Sequence, residues 1–356
     1  MEKITGKLSN KLRNMSFVCA CFVAVMHIRP VFQESTISWY VKQFIELGVT
    51  YISVPFFFAA SGFFLAGNYL TSEKITNAYF AAIEKRLASL LAPYFLWMLL
   101  WWFMTLIVPS ACQYLKYGTF HISLPISYTG WAKILGLSPL GITNLSVLWF
   151  VRNLMFLVLL SPVIFMVLRR FGMCFLVPLF ALYVMTYPWP ERLFRRNLGD
   201  LLFFNGLPSL VGFFWFSLGM ALRIKTIHVS ISRRPIVLCM ILGLVLSGLR
   251  ATFVLQGRSL PVAACGFASM CCYLYSVWGI MPDAAWPKWL VTCSFPIYLM
   301  HKFVLYVSNL VVANLGGDSL FSYGLESLFG CGMPIVAALF LRKYFPRIAS
   351  IAFGGR

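Results

Sequence analysis

Long apolar segments separated by short polar connections recur along the whole chain. Each is close to the roughly 20 residues that a helix needs to cross about 30 Å of hydrocarbon. We interpret them as helices, because a helix satisfies all of its own backbone polar groups in lipid. The pattern predicts ten membrane-spanning helices, at residues 15–32, 47–70, 87–109, 147–168, 171–188, 204–222, 235–254, 260–281, 289–312 and 322–342.

The composition supports this interpretation and leaves no segment for a separate soluble domain. Of the 356 residues, 60% are hydrophobic and only 11% are charged, and the mean hydropathy is +0.83. A water-facing globular protein of this length does not have such a composition. We therefore predict an all-α polytopic transmembrane bundle that forms a single domain over residues 1–356 and lies in the plasma or inner membrane of the cell.

The net charge of +19 would suggest nucleic-acid binding in a soluble protein. Here most Lys and Arg residues lie in short connections between spans, as the positive-inside rule expects, and no nucleic-acid motif is present. This bias predicts cytoplasmic termini and an even number of spans in a lipid bilayer. One connection disagrees, since Arg192, Arg195 and Arg196 fall outside. Either they serve a substrate or the fifth span is misplaced.

Three further features limit the possible functions. The ten cysteines show no Cys-x-x-Cys pair or Cys/His spacing that would predict a metal site. The first apolar segment ends without a cleavage signal, so we expect an uncleaved first span. The longest connection, residues 110–146, is external in this layout and rich in aromatic residues. They either lie at the membrane interface or cover a site.

A few polar residues interrupt the apolar segments and are the candidates for chemistry. His27 lies in the first span, where a titratable side chain is a functional candidate because charge is costly there. Its alternative role is hydrogen bonding between helices. Ser61 precedes Gly62, which allows close helix approach. Lys85 and Arg86 lie at the inner mouth of the third span, where they bind phosphates or only mark topology.

Two later segments carry the remaining candidates. Trp149 and Arg152 open the fourth span, and the arginine either lines a cavity or extends outward to the interface. Tyr298, His301 and Lys302 lie in the ninth span, where a charged side chain requires a cavity or a polar partner. These five residues are candidates for a cavity that holds an acceptor substrate.

In this order, the segments resemble the integral membrane acyltransferase 3 family of polytopic O- and N-acyltransferases. Each motif is short, but their order and spacing extend over most of the chain. The matching pieces are His27, Phe57-Phe58-Ala59-Ala60-Ser61-Gly62-Phe63, Lys85-Arg86 with Pro93-Tyr94, Leu148-Trp149-Phe150, and Ser294 to His301.

The resemblance implies a ten-helix core that uses cytoplasmic acyl-CoA, often acetyl-CoA, as a co-substrate and holds no permanent cofactor. The implied acceptor is a sugar, a lipid-linked saccharide or another surface molecule. His27 matches the residue regarded as catalytic in the family. The implied acyl-donor residues are Phe57, Phe58, Ser61, Gly62 and Arg86, with Lys85 beside them.

One position departs from the family pattern. Many members carry a basic residue eleven positions before the histidine, and here that residue is Ser16. Arg13 lies about one helical turn earlier. Either Arg13 provides the missing charge for the donor, or the protein binds its donor differently or uses another acyl group.

The residues allow two routes of acyl transfer. In one, neutral His27 takes the proton of an acceptor hydroxyl, which attacks the thioester, while Ser61, a backbone N–H or Lys302 stabilises the oxyanion. In the other, His27 carries the acyl group covalently.

The alternative class is a non-catalytic exporter of an anionic or glycolipid solute. Its pathway residues would be Arg152, Arg250, His301, Lys302 and Glu326. The sequence specifies neither the acceptor nor the oligomeric state.

Overall fold

The computed structural model describes residues 6–28, 32–34, 36–118, 146–186, 208–225, 232–316 and 319–355. Within these ranges the chain is helical and contains no strand. A π-helical segment, Ile45–Val49, and a short turn, Thr50–Ile52, join the second and third helices. The helices are α1 (Gly6–Val25), α2 (Ile37–Phe44), α3 (Ser53–Thr71), α4 (Ile75–Tyr117), α5 (Trp149–Phe171), α6 (Leu176–Thr186), α7 (Leu210–Ile224), α8 (Arg233–Leu255), α9 (Ser259–Ile280), α10 (Lys288–Val291), α11 (Ser294–Gly316), α12 (Leu320–Tyr344) and α13 (Pro346–Phe353).

Among the described residues, six helical stretches are long and apolar enough to cross a membrane. The predicted fourth span and the first part of the predicted fifth span fall within one of these stretches, and α7 is a shorter apolar helix. The predicted all-α membrane fold is therefore confirmed, while the count of ten spans stays a prediction. The six are Thr50–Thr71, Ile75–Leu115, Ser146–Tyr183, Arg233–Leu255, Pro261–Ile280 and Leu320–Tyr344.

The apolar surface of these helices is typical of contact with lipid. In α8 and α12, large aliphatic and aromatic side chains point away from the protein core, although a water-facing helix would carry polar groups there. Exposed examples are Val237, Leu238, Ile241 and Leu242 in α8 and Leu328, Met333, Val336 and Phe340 in α12.

Helix α1 has different bounds from the predicted span at residues 15–32. It begins at Gly6 and ends at Val25, so His27 lies in a turn beyond the helix. In that turn the His27 N–H donates to the Ala24 carbonyl at 3.1 Å, a tightened contact common at helix ends. Pro30 follows in the sequence, and helices usually end before the residue that precedes a proline.

The centre of the bundle is α1, which packs against α3, α11 and α12. Helix α3 in turn crosses α7 at two glycines. A Cβ atom on Gly62 would lie 2.1 Å from the Phe216 carbonyl oxygen, and one on Gly219 would lie 1.9 Å from the Ala59 oxygen. The two backbones approach this closely because neither residue has a side chain, as at other small-residue helix crossings.

Polar contacts bring the start of α1 and the end of α12 to the same end of the bundle. The Asn14 side-chain amide donates to the carbonyls of Pro282 at 3.0 Å and Ala284 at 2.8 Å. The Arg342 guanidinium donates to the Thr292 hydroxyl at 3.1 Å and to its carbonyl at 2.9 Å. We call this end, formed by residues 281–293 and the two helix ends, the basal end. Its orientation in the membrane stays a prediction.

Candidate active site

Two histidines from distant parts of the sequence stack against each other. The His27 and His301 rings lie 5.3 Å apart between centroids and 14° from parallel. His301 is fully buried, and its Nδ1 lies 3.1 Å from the Ile297 carbonyl oxygen. Since a carbonyl only accepts, the matching tautomer carries the proton on Nδ1 and leaves Nε2 as an acceptor. Nε2 has no hydrogen-bond partner within the described part of the chain.

Tyr298 connects the histidine helix to the start of α5. Its ring centroid lies 6.3 Å from that of His301, and its hydroxyl donates to the Val147 carbonyl. The Tyr298 ring also meets Phe150 edge-on at 5.8 Å. The structure thus brings together two segments that the sequence identified separately, the opening of α5 and the first turns of α11.

Phe57 and Phe58 pack against the opening of α5. Phe58 is fully buried, and its ring lies 4.5 Å from that of Phe150 and 6.2 Å from that of Trp149. The Phe57 ring lies 5.8 Å from that of Phe150. This aromatic cluster covers the region of Tyr298 with apolar surface, which keeps water away from it.

Two charged side chains are buried in the protein. Arg152 is 7% exposed, so it does not extend outward to the interface, and it lies within electrostatic range of Tyr94. Glu326 is 2% exposed. It precedes Gly330 by one turn, and a Cβ atom on Gly330 would contact Leu305 at 3.1 Å and Ala24 at 3.8 Å. Glu326 therefore lies close to the meeting point of α1, α11 and α12.

A cleft of about 870 Å³ opens between α3, residues 85–92 of α4 and α13. A smaller cavity of about 310 Å³ shares three of its lining residues and extends it along α4. Since α13 follows directly on the basal end of α12, the cleft lies near the basal end. Its lining residues are Phe64, Asn68, Lys85, Arg86, Ala88, Ser89, Ala92, Ser350, Ile351, Gly354 and Gly355.

Lys85 and Arg86 give the cleft a positive charge that the protein does not neutralise. Within the described ranges, neither side chain forms an ion pair or a hydrogen bond. An unpaired guanidinium in a partly enclosed cleft presents its planar fork of donors to a ligand, and phosphate is the group that this fork fits best. Phe64 and Ile351 add apolar surface beside these cations. The lining therefore suits a phosphorylated ligand that also has an apolar part.

Tyr94 lies on the face of α4 opposite the cleft and close to Tyr298. It follows the cleft residue Ala92 by two positions in α4 and is buried within electrostatic range of both Arg152 and Tyr298. Tyr298 in turn neighbours His301. Neighbouring side chains therefore run from Tyr94, through Tyr298, to the histidine pair, and α4 itself separates Tyr94 from the cleft.

Four other residues from the sequence analysis lie outside the lining of the cleft. Ser61 is half-buried and Gly62 packs on α7, while Phe64, further along α3, lines the cleft instead. Arg13 is exposed on α1. Ser16 donates to the Leu12 carbonyl in its own helix at 2.8 Å. Their roles in donor binding stay predictions.

The structure also adds residues that the sequence analysis missed. Asn68 and Ser89 line the cleft, as do Ser350 and the pair Gly354 and Gly355. The signal for the pair was two consecutive glycines after the apolar segment 348–353. Arg192, Arg195 and Arg196 lie outside the described residues.

The fold and these two regions suit a polytopic membrane acyltransferase. The chain belongs to the acyltransferase 3 family, because the family model, described as an acyltransferase domain, matches residues 11–343. The match covers nearly the whole chain and confirms the resemblance that the sequence motifs indicated. No curated protein and no solved structure was found to match.

Proposed function

We propose that the protein transfers an acyl group, most simply acetyl, from cytoplasmic acyl-CoA to a hydroxyl group outside the cytoplasm. The acceptor class is a glycan, a lipid-linked saccharide or another surface molecule. The observation that supports the proposal is a cation-lined cleft near the basal end together with a stacked histidine pair, in a chain of the acyltransferase 3 family. A donor with phosphates at one end and a reactive thioester at the other suits these two regions.

The donor binds with its phosphates at Lys85 and Arg86. Phosphates supply the negative charge that the protein does not place beside these cations. The flexible arm of coenzyme A then extends from the cleft towards Tyr298. This orientation presents the thioester carbonyl to the histidines while the nucleotide stays at the mouth of the cleft.

In the chemical step, neutral His27 accepts the proton of the acceptor hydroxyl as its oxygen attacks the thioester carbonyl. Lys302, beside His301, or Ser61 stabilises the resulting oxyanion. The carbon–sulfur bond then breaks, and the thiolate of coenzyme A takes the proton from the imidazolium. The products are the acyl ester and free coenzyme A, with His27 again neutral. His301 holds the His27 ring in position by stacking.

A covalent route uses the same residues in a different order. His27 attacks the thioester, holds the acyl group while coenzyme A leaves, and passes it to the acceptor. Acyl-imidazole formation without acceptor distinguishes this route. It predicts one equivalent of thiol released and a hydroxylamine-sensitive label on the protein, whereas direct transfer predicts neither.

The basal end faces the cytoplasm in this proposal, within the plasma or inner membrane. Two features support this orientation: the start of α1 and the end of α12 lie at the same end, and the first thirteen residues carry several Lys and Arg residues. The donor cleft near this end then opens towards the compartment that contains acyl-CoA.

The test uses the purified full chain in lipid nanodiscs with radiolabelled acetyl-CoA and a lipid-linked saccharide mixture. We expect thiol release together with labelled saccharide, and we expect His27→Ala to abolish both while the thermal unfolding temperature stays unchanged. Met26→Ala, in the same turn, is the matched control and should retain activity. Retained transfer in His27→Ala would contradict the role of the base. Solute flux in proteoliposomes without thioester consumption would favour the exporter.

A further inference from the structure

Helix α13 lies beyond the part of the chain that the family model matches, yet it borders the cleft. The match ends at residue 343, and α13 spans Pro346–Phe353. It turns back from the end of α12 and packs against α4. One wall of the cleft is therefore formed by a segment that the shared family pattern does not describe.

Specific contacts hold α13 in place. The Trp97 indole N–H donates to the Ala352 carbonyl at 2.9 Å, and the Trp97 ring stacks on that of Phe353 at 6.5 Å. The Arg342 guanidinium lies 5.9 Å from the centre of the buried Phe353 ring. Trp97 also meets Phe303, two residues after His301, at 5.1 Å. The position of α13 is thus coupled through packed side chains to the histidine helix.

Gly354 brings the backbone after α13 directly against α4. Its φ angle is +63°, and a Cβ atom there would lie 1.9 Å from the Ser89 carbonyl oxygen. Gly355 also has a positive φ, +70°, but the nearest atom to its added Cβ would be the Ser350 hydroxyl at 3.9 Å. Only glycine fits at Gly354 for steric reasons, because any side chain would force the wall away from α4.

Two isoleucines of α13 allow the face of the helix that borders the cleft to be compared with a face that does not. Ile351 is 57% exposed and lines the cleft, whereas Ile348 is 53% exposed and does not. The two side chains have the same chemistry, similar exposure and the same helix. They differ in their position relative to Lys85 and Arg86: Ile351 lines the same cleft as these cations, and Ile348 does not.

We propose that α13 together with Gly354 and Gly355 is a donor-specificity wall that contacts the phosphate-bearing part of acyl-CoA and sets its affinity. This inference rests on the proposed function. A nucleotide whose phosphates are bound by Arg86 shares one enclosed space with Ser350 and Ile351. The wall therefore determines how well the nucleotide fits, and the histidine pair determines how fast the acyl group moves.

The decisive experiment introduces a negative or a positive charge at Ile351 and measures the KM for acetyl-CoA. Ile351→Glu repels the phosphates and should raise KM about fivefold, and Ile351→Lys should lower it by a similar factor, with kcat unchanged in both. The same two substitutions at Ile348 are the controls and should change KM much less. The difference should shrink as salt concentration rises, because exposed charges are screened.

A glycine pair tests the geometry of the wall. Gly354→Ala should raise the KM for acetyl-CoA about tenfold. Gly257→Ala is the control, because Gly257 also has a positive φ, +64°, lies outside the cleft, and an added Cβ there meets no atom within 4 Å; it should change the KM by less than about twofold. Thermal unfolding of both variants is measured alongside. If Gly354→Ala fails to fold, the charge series at Ile351 still decides.

The outcomes separate failure of this inference from failure of the proposed function. A wild-type protein that consumes no acetyl-CoA thioester would contradict the proposed function itself. An active wild type in which the Ile351 and Ile348 series give equal KM values would overturn the wall. Opposite KM shifts at Ile351 with small shifts at Ile348 would establish it.

Discussion

The histidine pair and the cleft differ in how far the protein itself provides partners for their charged and polar groups. At the histidines, His301 is fully buried and bonded to its own helix, and aromatic rings cover the neighbouring Tyr298. In the cleft, the Lys85 and Arg86 side chains have no acidic partner among the described residues. The first region fixes geometry in a dry environment, where preorganised groups act most strongly. The second leaves charge for a ligand to neutralise.

This difference predicts which kinetic constant responds in each region. A residue that acts only in the transition state changes kcat, whereas a residue that binds donor and transition state equally changes KM. Substitutions at the histidines should therefore lower kcat, and substitutions in the cleft should raise KM for the donor. A variant that changes the wrong constant would break the comparison.

The largest effect is expected at the histidines. His27→Ala should lower kcat by about 10²–10⁴-fold, the usual contribution of a general base, with the KM for acetyl-CoA unchanged. His301→Phe keeps a flat ring for stacking and should retain more activity than His301→Ala, since His301 acts through His27. Single-turnover rates of the single and double variants provide the measurement.

The double variant of His27 and His301 provides the control. Because His301 works through His27, the double variant should be no slower than His27→Ala alone. Additive losses would mean that His301 contacts the substrate independently and would enlarge the chemical region.

The next effect should reach both regions at once. Gly62→Ala places a methyl group where only 2.1 Å separates a Cβ atom from the Phe216 carbonyl oxygen. We expect a loss of about 2–4 kcal/mol in the free energy of unfolding, as for other overpacked sites. Since α3 carries residues of both regions, kcat and KM should deteriorate together. Thermal unfolding in detergent and initial rates give the two readouts.

Gly332→Ala is the matched control, because an added Cβ at Gly332 meets no atom within 4 Å. Equal unfolding temperatures for the two alanine variants would show that the α3–α7 crossing tolerates a side chain.

A smaller effect is expected in the cleft. Arg86→Ala should raise the KM for acetyl-CoA about tenfold without a change in kcat, because a charge-assisted phosphate contact is lost. Arg86→Lys should recover part of the affinity. Lys74, an exposed basic residue just before α4, does not line the cleft, so Lys74→Ala is the control. If Arg86→Ala and Arg86→Lys both have the KM of the wild type, Arg86 only marks topology.

The smallest effect is expected at Arg13. The sequence predicts that it replaces the charge missing at Ser16, yet it is exposed on α1 and does not line the cleft. Arg13→Ala should change the KM for acetyl-CoA by less than about twofold, well below the change in Arg86→Ala. A change as large as that of Arg86→Ala would restore the sequence prediction and extend the donor site onto α1.

The apolar pattern predicts most helices because the need to bury backbone polar groups in lipid is local. It does not predict that α1 extends back to Gly6, because the polar residue Asn14 donates its side-chain N–H groups to the carbonyls of Pro282 and Ala284, far along the sequence. Nor does it predict that α1 ends before His27, since a single tight turn leaves no periodic signal.

The candidate site shows the same limit. Lys85 and Arg86 stand out in the sequence because two cations adjoin a span. His27 and His301 are each identifiable, but only tertiary packing brings them within 5.3 Å. Helix α13 gives no sequence signal of its role, because the contact of Trp97 with Ala352 depends on how the segment folds back. The long connection at 119–145 lies outside the described residues.

The crossing of α3 and α7 at Gly62 and Gly219 has a consequence for how the protein tolerates genetic drift. Helix α3 contributes Phe58 to the aromatic cluster and Phe64 to the cleft. Its placement therefore sets the distance between these two regions. Backbone atoms, not side chains, set that placement. Mutations can therefore alter many lipid-facing side chains without changing this distance, whereas either glycine admits almost no replacement.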